Sequence, residues 1–386
     1  MPLKLVLISP SGTLEKSGKL DATLIGDLCA AIDRLSKKGV QFAIWSNRAW
    51  TVTSQQKTVT PLHQYLTQRT NQQVHAVGVI HGGYPARRRA GSIDPILDKF
   101  AVARNEAILV GTSPDDLIAG VNNKLLLIRP DWYGVNNEYG FSVKSIAELE
   151  RFCTIFGLRK YPIYWSIADA SLRAVAMGPY STKIKAYAEF GWDALYAAKQ
   201  DQGSLDFWHR SIVSSLYFSG LISDIHYITT FPRHVPNAPA GPLDEVMIAL
   251  GKCFRKTYFP DLLIRHTPAI KSATASAHQK TFLNQLNTIR LNAYPHAYGS
   301  GEPRKSPINL KGKNVLIVDD FCTNGRSLET ARRYIEAAGG RALLFCWLKT
   351  INTSFLRMDP APPLKPFEVN SIQSSLPQFP SGINNA

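Results

Sequence analysis

The sequence predicts an α/β protein made of two doubly wound parallel-sheet domains in tandem, and three observations carry that prediction. Short apolar runs alternate with stretches of helical period along most of the chain, the pattern of strands joined by crossover helices. At 386 residues the chain is too long for one ordinary hydrophobic core. Residues 314–337, NVLIVDDFCTNGRSLETARRYIEA, read as a buried strand, a polar turn and an amphipathic helix in direct succession.

From the N-terminus, Leu3 to Ile8 reads as a buried strand followed by the turn Ser9-Pro10-Ser11-Gly12-Thr13-Leu14. A helix from about Ala22 to Lys38 has Leu24, Leu28, Ile32 and Leu35 on one face and Gly39 as its terminator. Val40 to Trp45 is a strand stopping at Ser46-Asn47-Arg48, and Val74 to Ile80 another, running into His81-Gly82-Gly83. A helix near Pro95–Arg104, a strand Ala107–Val110, a helix opened by Gly111-Thr112-Ser113-Pro114-Asp115-Asp116 and a strand Lys124–Ile128 continue the alternation. Ser142 is a plausible helix cap, Ser145-x-x-Glu148 has capping-box spacing, and Ile146, Leu149 and Phe152 give the helix an apolar stripe ending near Gly157. A domain joint is expected just beyond, giving domains 1–157 and 158–350 and a Pro/Ser/Asn-rich tail, 351–386. That tail reads as a docking arm or a loose end.

Composition narrows the class. Hydrophobic residues at 45% indicate a globular chain. The net charge of +15 suits a polyanionic ligand, nucleic acid or a partner protein. The basic residues are scattered, with Arg87-Arg88-Arg89 the one tight run, so a basic enzyme without nucleic acid fits as well. Cys29, Cys153, Cys253, Cys322 and Cys346 show no metal spacing and read as free thiols of a reducing, cytoplasmic setting. No stretch reaches the roughly 18 apolar residues of a membrane span, and no signal peptide is expected at the start.

The strand ends of residues 1–157 resemble the haloacid-dehalogenase (HAD) phosphatase family. Gly12-Thr13-Leu14, Ser46-Asn47, and Gly111 with Ser113 and Asp116 stand where that family has its first, second and fourth motifs. The resemblance puts Ser9 at the nucleophile position, Ser11 at the general-acid position and Thr112 at a metal-binding aspartate, with the motif lysine falling near Ser92. A serine neither holds magnesium at neutral pH nor forms an acyl phosphate, so only Asp116 is left of the acidic set. The domain is therefore expected to be compact and inactive as a phosphatase. Its pocket of Ser9, Ser11, Ser46, Thr112 and Asp116 would be degenerate, either binding an anion through Thr13, Ser46, Asn47 and Arg87–Arg89 or serving as a docking scaffold.

After a short strand, Tyr180 to Phe190 and Leu205 to Leu221 carry helical spacing. Asp224–Phe231 reads as a first core strand, Leu243–Tyr258 as a helix, Asp261–Ile264 as a strand continuing the parallel alternation, and Arg341–Leu348 as the last strand. Between Arg265 and Gly301 the chain turns polar and basic.

The run at 314–337 carries the chemistry. Asp319 and Asp320 end its strand, and Thr323-Asn324-Gly325-Arg326-Ser327 lead into the helix. Backbone N–H groups of such a turn and the positive end of the helix dipole suit a phosphate monoester, with Gly325 permitting close approach. Carboxylates repel phosphate, so the acids must face another part of the same ligand, vicinal hydroxyls or a magnesium ion, as a phosphorylated ribose provides. The other reading is a Rossmann-like response-regulator or nucleotide-binding strand end.

Val315-Leu316-Ile317-Val318-Asp319-Asp320 through Thr323, Gly325 and Ser327 resemble the fingerprint of the type I phosphoribosyltransferases, while Phe321 and Asn324 depart from it. The resemblance implies phosphoribosyl diphosphate as substrate, Mg2+ as cofactor, Asp319 and Asp320 as catalytic acids that hold the ribose hydroxyls and indirectly the metal, and Thr323, Asn324, Gly325, Arg326 and Ser327 as the phosphate anchor. It makes Thr230, Phe231, Pro232 and Arg233 the pyrophosphate loop, a segment that otherwise reads as a surface turn. It also makes Lys271, His278 and Lys280 candidates for a mobile lid. Arg265…His278-Gln279-Lys280…Arg290-Leu291-Asn292, and the lead-in Tyr180-x-x-x-Ile184-Lys185-x-Tyr187 with Lys199, are similar to the competence-protein-like branch, although Lys183, Lys185 and Lys199 also fit a solvated face. The acceptor is not legible. The alternative is an effector or regulator that binds phosphoribosyl diphosphate, a nucleotide or nucleic acid without turnover. Fusions of these two domain types are associated with bacterial stress and phage-defence clusters, retron-like ones included.

Overall fold

The computed structural model describes residues 3–53, 57–134, 139–200, 202–270, 281–373 and 377–383. The chain divides into two compact units: residues 1–162 with 216–223 and 252–255, and residues 163–215, 224–251 and 256–386. Both are α/β units built on a mostly parallel sheet.

The elements of the first run β1 (Leu5–Ile8), β2 (Glu15–Lys16), β3 (Lys19–Leu20), α1 (Ala22–Ser36), β4 (Gln41–Trp45), β5 (Thr51–Thr53), β6 (Val59–Pro61), α2 (Leu62–Thr70), β7 (Val74–Val77), α3 (Asp94–Phe100), β8 (Ala107–Val110), α4 (Pro114–Asn122), β9 (Leu126–Pro130), β10 (Phe141–Val143) and α5 (Ile146–Phe152). The six-stranded sheet has the order β10-β9-β8-β1-β4-β7, with every neighbouring pair parallel. Local chemistry sets the helix starts. Asp21 caps α1 by accepting from Thr23 N and Leu24 N, and Ser113 caps α4 while Asp116 accepts in return from Ser113 N. Of the two serines weighed for α5, Ser145 is the cap, accepting from Glu148 N at 3.1 Å.

The second unit contains β11 (Trp165–Ala168), β12 (Arg173–Tyr180), α6 (Lys185–Gln200), α7 (Leu205–Phe218), β13 (Tyr227–Thr230), α8 (Pro242–Phe254), β14 (Thr257–Tyr258), β15 (Leu263–Arg265), α9 (Leu283–Leu286), β16 (Ile289–Leu291), β17 (Asn314–Cys322), α10 (Arg326–Ala337), β18 (Arg341–Thr350), β19 (Ser354–Met358) and β20 (Gln378–Ile383). Its main sheet runs β11-β12-β18-β17-β13-β14, parallel except for the antiparallel edge strand β11. Val315–Val318 of β17 are fully buried at its centre, each side chain contributing roughly 1.5–3 kcal/mol by leaving water.

Four expectations need correction. The acids do not end their strand, because β17 continues to Cys322, pairing Phe321 and Cys322 with Leu348 and Lys349 of the long β18. Tyr180 closes a strand rather than opening a helix: Ala174–Met177 are buried on both sides, so β12 reads as a uniform apolar run. β15 does not extend the parallel sheet but pairs antiparallel with β16 in a separate ribbon. Beyond residue 350 the chain is no loose end. β19 and β20 form an antiparallel ribbon, and Phe355 and Met358 are fully buried in the core of this unit.

Candidate active site at the end of β17

In the second unit's sheet the chain leaves β13 toward β14 on one side and leaves β17 toward β18 on the other. The order therefore reverses between β13 and β17, and ligands of open α/β sheets bind at the carboxyl ends of strands flanking such a reversal. Thr230 and Val318 are register partners there, so the chain after Thr230 and the acids after Val318 emerge side by side.

The acids interact strongly. Asp320 N donates to Asp319 Oδ1 at 3.0 Å and Phe321 N to Asp320 Oδ1 at 2.7 Å. Burial and the neighbouring Asp320 charge push the Asp319 carboxyl up to about 7, with Lys199 and Arg265 pulling the other way. Lys199 Nζ, from α6, donates to Asp320 Oδ2. Desolvation acts against its charge, yet Asp320 more than compensates and holds the ammonium above its ordinary range. Phe321, one of the two residues that depart from the expected pattern, packs its ring 4.4 Å from Tyr180 and lies under Lys199.

Thr230, Phe231, Pro232 and Arg233 form the strand end and loop beside the acids. Thr230 Oγ1 lies 3.3 Å from the Tyr258 hydroxyl, which donates to Asp244. The Arg265 guanidinium is buried behind this loop, donating to the carbonyls of Pro232 and Arg233 and to Gln285 and Thr288 while facing the Phe231 ring at 5.6 Å. It thus holds the loop by its backbone and supplies positive charge near Asp319. Burial brings its pKa down to about 10.

The turn after β17 is backed by the C-terminal segment. Gly325 has φ +70°, and a Cβ there would lie 2.2 Å from the Phe355 ring, so both backbone and packing require glycine. It precedes α10, whose first turn holds Arg326 and Ser327 and has no side-chain cap, leaving its backbone N–H groups to the site. Thr323 Oγ1 is 3.0 Å from Thr350 Oγ1, and Asn324 donates to Ser354 O at 3.3 Å while accepting from Leu356 N at 2.9 Å. Arg326 reaches Gln378 at 3.3 Å. Beneath the turn lies the fully buried Lys349, whose Nζ donates to the carbonyls of Thr323, Thr350 and Thr353. Burial lowers its pKa.

Lys199, Arg265 in this loop-holding role, and Lys349 were not singled out as site residues from sequence; they reach the site from distant segments. Lys271, His278 and Lys280 lie outside the described residues.

In the first unit, Ser9, Ser46, Thr112 and Asp116 are buried near the ends of β1, β4 and β8, and Ser11 is half-buried in the turn after β1. Arg87 does not offer a surface charge. Its buried guanidinium donates to Ser9 Oγ at 2.6 Å and lies 2.7 Å from Asp116 Oδ1. Ser46 Oγ accepts from Trp50 Nε1 at 3.0 Å. A cation therefore already answers Asp116, with no second carboxylate among the candidate residues to bring in a metal.

Among the described residues no group of three or more His, Cys, Asp or Glu could hold a metal ion, and no helix is long and apolar enough to cross a membrane.

Residues 264–350 match the phosphoribosyl transferase domain family. No curated protein matches the chain. Among solved structures it is similar to the cobalt-bound deoxy-D-mannose-octulosonate 8-phosphate phosphatase of Haemophilus influenzae, at 11% identity over 39% of this chain and 85% of that one, TM-score 0.26. A HAD-superfamily hydrolase of Geobacter sulfurreducens shows 15% identity over 31% of this chain and 51% of that one, TM-score 0.24. The 4-nitrophenylphosphatase of Thermotoga maritima shows 16% over 38% and 54%, TM-score 0.16. TM-scores this low carry no argument of their own.

Proposed function

We propose that the second unit is a phosphoribosyltransferase, transferring the phosphoribosyl group of phosphoribosyl diphosphate to an acceptor with release of pyrophosphate. What supports this most is one juxtaposition: two carboxylates and an N–H-lined turn follow each other on a single strand end beside the loop after β13. In this reading Thr323–Ser327 hold the 5′-phosphate, Asp319 and Asp320 accept the ribose hydroxyls, and Thr230–Arg233 receive the leaving pyrophosphate as its charge grows. Magnesium fits this donor set, because it is commonly held by one or two carboxylates together with substrate oxygens rather than by a protein cage. When bound it neutralises the leaving pyrophosphate; Asp319 and Asp320 are the residues that would orient it. A domain that begins near residue 158 and takes in the β19–β20 ribbon beyond residue 350, Lys271, His278 and Lys280 as candidates for a mobile lid, and a cytoplasmic setting belong to the same proposal. The first unit is proposed to be inactive as a phosphatase, since Arg87 neutralises the one remaining acid.

The test is release of pyrophosphate from labelled phosphoribosyl diphosphate and Mg2+ by the full chain, with and without a panel of nucleobases, beside D319N and D320N. Release that disappears in both variants supports transfer; no release from the wild type under any condition refutes it.

The Lys199–Asp320 ion pair favours a second reading, binding without turnover, because it occupies one acid of the pair. In that case the wild type binds phosphoribosyl diphosphate without releasing pyrophosphate, as a regulator or a defence-system effector would.

A further inference from the structure

Two cations act on the acid pair, and they are held in different ways. The Arg265 guanidinium is buried and donates to the carbonyls of Pro232 and Arg233, to Gln285 and to Thr288. Moving it would leave four acceptors without that donor, so this cation is fixed. Lys199 donates to one acceptor among the described residues, Asp320 Oδ2, and its side chain is 51% exposed. A lysine that ties chain segments together has another setting in this unit: Lys349 is fully buried and donates to the carbonyls of Thr323, Thr350 and Thr353.

The backbone that carries Lys199 is anchored. Ala194, Ala197 and Ala198 are buried along α6, and Asp193 accepts from Ser204 N at 3.0 Å and from Trp208 Nε1 at 2.8 Å. The root of Lys199 is therefore set, while its flexible four-carbon stem can turn. The oxygen it meets is also the one an incoming group needs. Asp319 Oδ1 accepts from Asp320 N and Asp320 Oδ1 from Phe321 N, so the backbone engages one oxygen of each acid. Among the described residues, the Lys199 ammonium is the donor to Asp320 Oδ2. A divalent cation at that oxygen would stand against the ammonium, and like charges so close repel. A half-exposed lysine–carboxylate pair is weak enough to give way.

We propose that Lys199 is an exchangeable counter-ion of Asp320, which a divalent cation displaces when it reaches the acid pair. Arg265 stays in place through the exchange and Lys199 swings out. The Phe321 ring, 5.9 Å from Nζ, offers the released ammonium a face to rest on. The pair thus regulates the site: the acids take a metal only at the cost of their own lysine, and cation affinity is set below what two bare carboxylates would give. The inference rests on the transferase reading only in taking Asp319 and Asp320 as the residues that meet the cation.

Titration of the full chain with Mn2+, followed by electron paramagnetic resonance, reads the exchange without requiring turnover, since Mn2+ takes the same oxygen ligands as magnesium. Removing the competitor in K199M, or in K199Q as a second neutral variant, should tighten Mn2+ binding about threefold or more. K199R keeps the charge and should stay close to wild type. The gain should vanish without the carboxylate, K199M/D320N binding no tighter than D320N. Equal or weaker Mn2+ binding in both neutral variants, a gain that survives in the D320N background, or no Mn2+ binding by wild type and variants alike overturns the proposal. The transferase reading fails on a different observation, a wild-type chain that releases no pyrophosphate from phosphoribosyl diphosphate, and that result leaves the cation exchange standing.

Discussion

Replacing Lys349 by Met tests whether the buried ammonium assembles the Thr323–Ser327 turn proposed to hold phosphate. Nζ donates at 2.7 Å to Thr323 O, at 2.7 Å to Thr353 O and at 3.2 Å to Thr350 O. The Thr353 hydroxyl lies within reach of both Thr323 O and Thr350 O, but its single hydrogen can serve only one at a time. Methionine would thus leave two part-buried carbonyls without a donor, at up to about 1–3 kcal/mol each. Part of that is returned because Met removes a buried charge with no carboxylate partner. The expected net loss is about 2–3 kcal/mol, a sizeable share of a typical domain stability of about 5–15 kcal/mol. Since Thr323 begins the turn, affinity for phosphoribosyl diphosphate should fall about tenfold or more. Urea unfolding, with the two units' transitions resolved, gives the first quantity, and titration calorimetry with phosphoribosyl diphosphate the second. A stability change below about 0.5 kcal/mol together with unchanged affinity would refute the assignment.

Two further outcomes follow from charges in the buried sites. The Asp319 carboxyl, raised to about 7 in the folded chain, stands above its ordinary unfolded value of about 3.9. The folded state therefore holds this proton while the unfolded state sheds it, so its contribution to stability falls as pH rises from about 4 to about 7 and is constant beyond. Affinity for phosphoribosyl diphosphate should rise over the upper part of that window as the carboxylate becomes available to accept hydroxyls; pH titrations of wild type and D319N check both, the variant losing both dependences. In the first unit, R87M leaves Asp116 buried without its cation and should cost about 3–5 kcal/mol in that unit's unfolding transition, while phosphate release from 4-nitrophenyl phosphate stays at background.

The strand ends of both units were legible because their signals are local. β1, β4, β8 and the apolar start of β17 are short runs whose burial follows from their own residues, and the Thr323–Ser327 turn announces itself by composition. What escaped depends on contacts across the sequence. Lys199 looks like one more lysine on a helix until α6 places it on Asp320, 121 residues away. Lys349 closes a strand and gains its role only when the Thr353 turn folds back over Thr323. Arg87 sits in a basic triplet that reads as anion-binding, yet its guanidinium fills the space between Ser9 and Asp116. β15 was recognised as a strand, but whether it joins a parallel sheet or pairs with β16 depends on a partner that its own three residues do not specify.

The seating of Phe355 against Gly325 means that the bend proposed to receive the sugar phosphate is shaped by chain on both sides of β18. A shortened protein stopping near residue 350 would retain every residue of the fingerprint and lose the wall behind it. Phe355 to a smaller residue should therefore soften the anchor from the rear, so that changes in the C-terminal ribbon tune substrate grip without touching any group that meets the ligand.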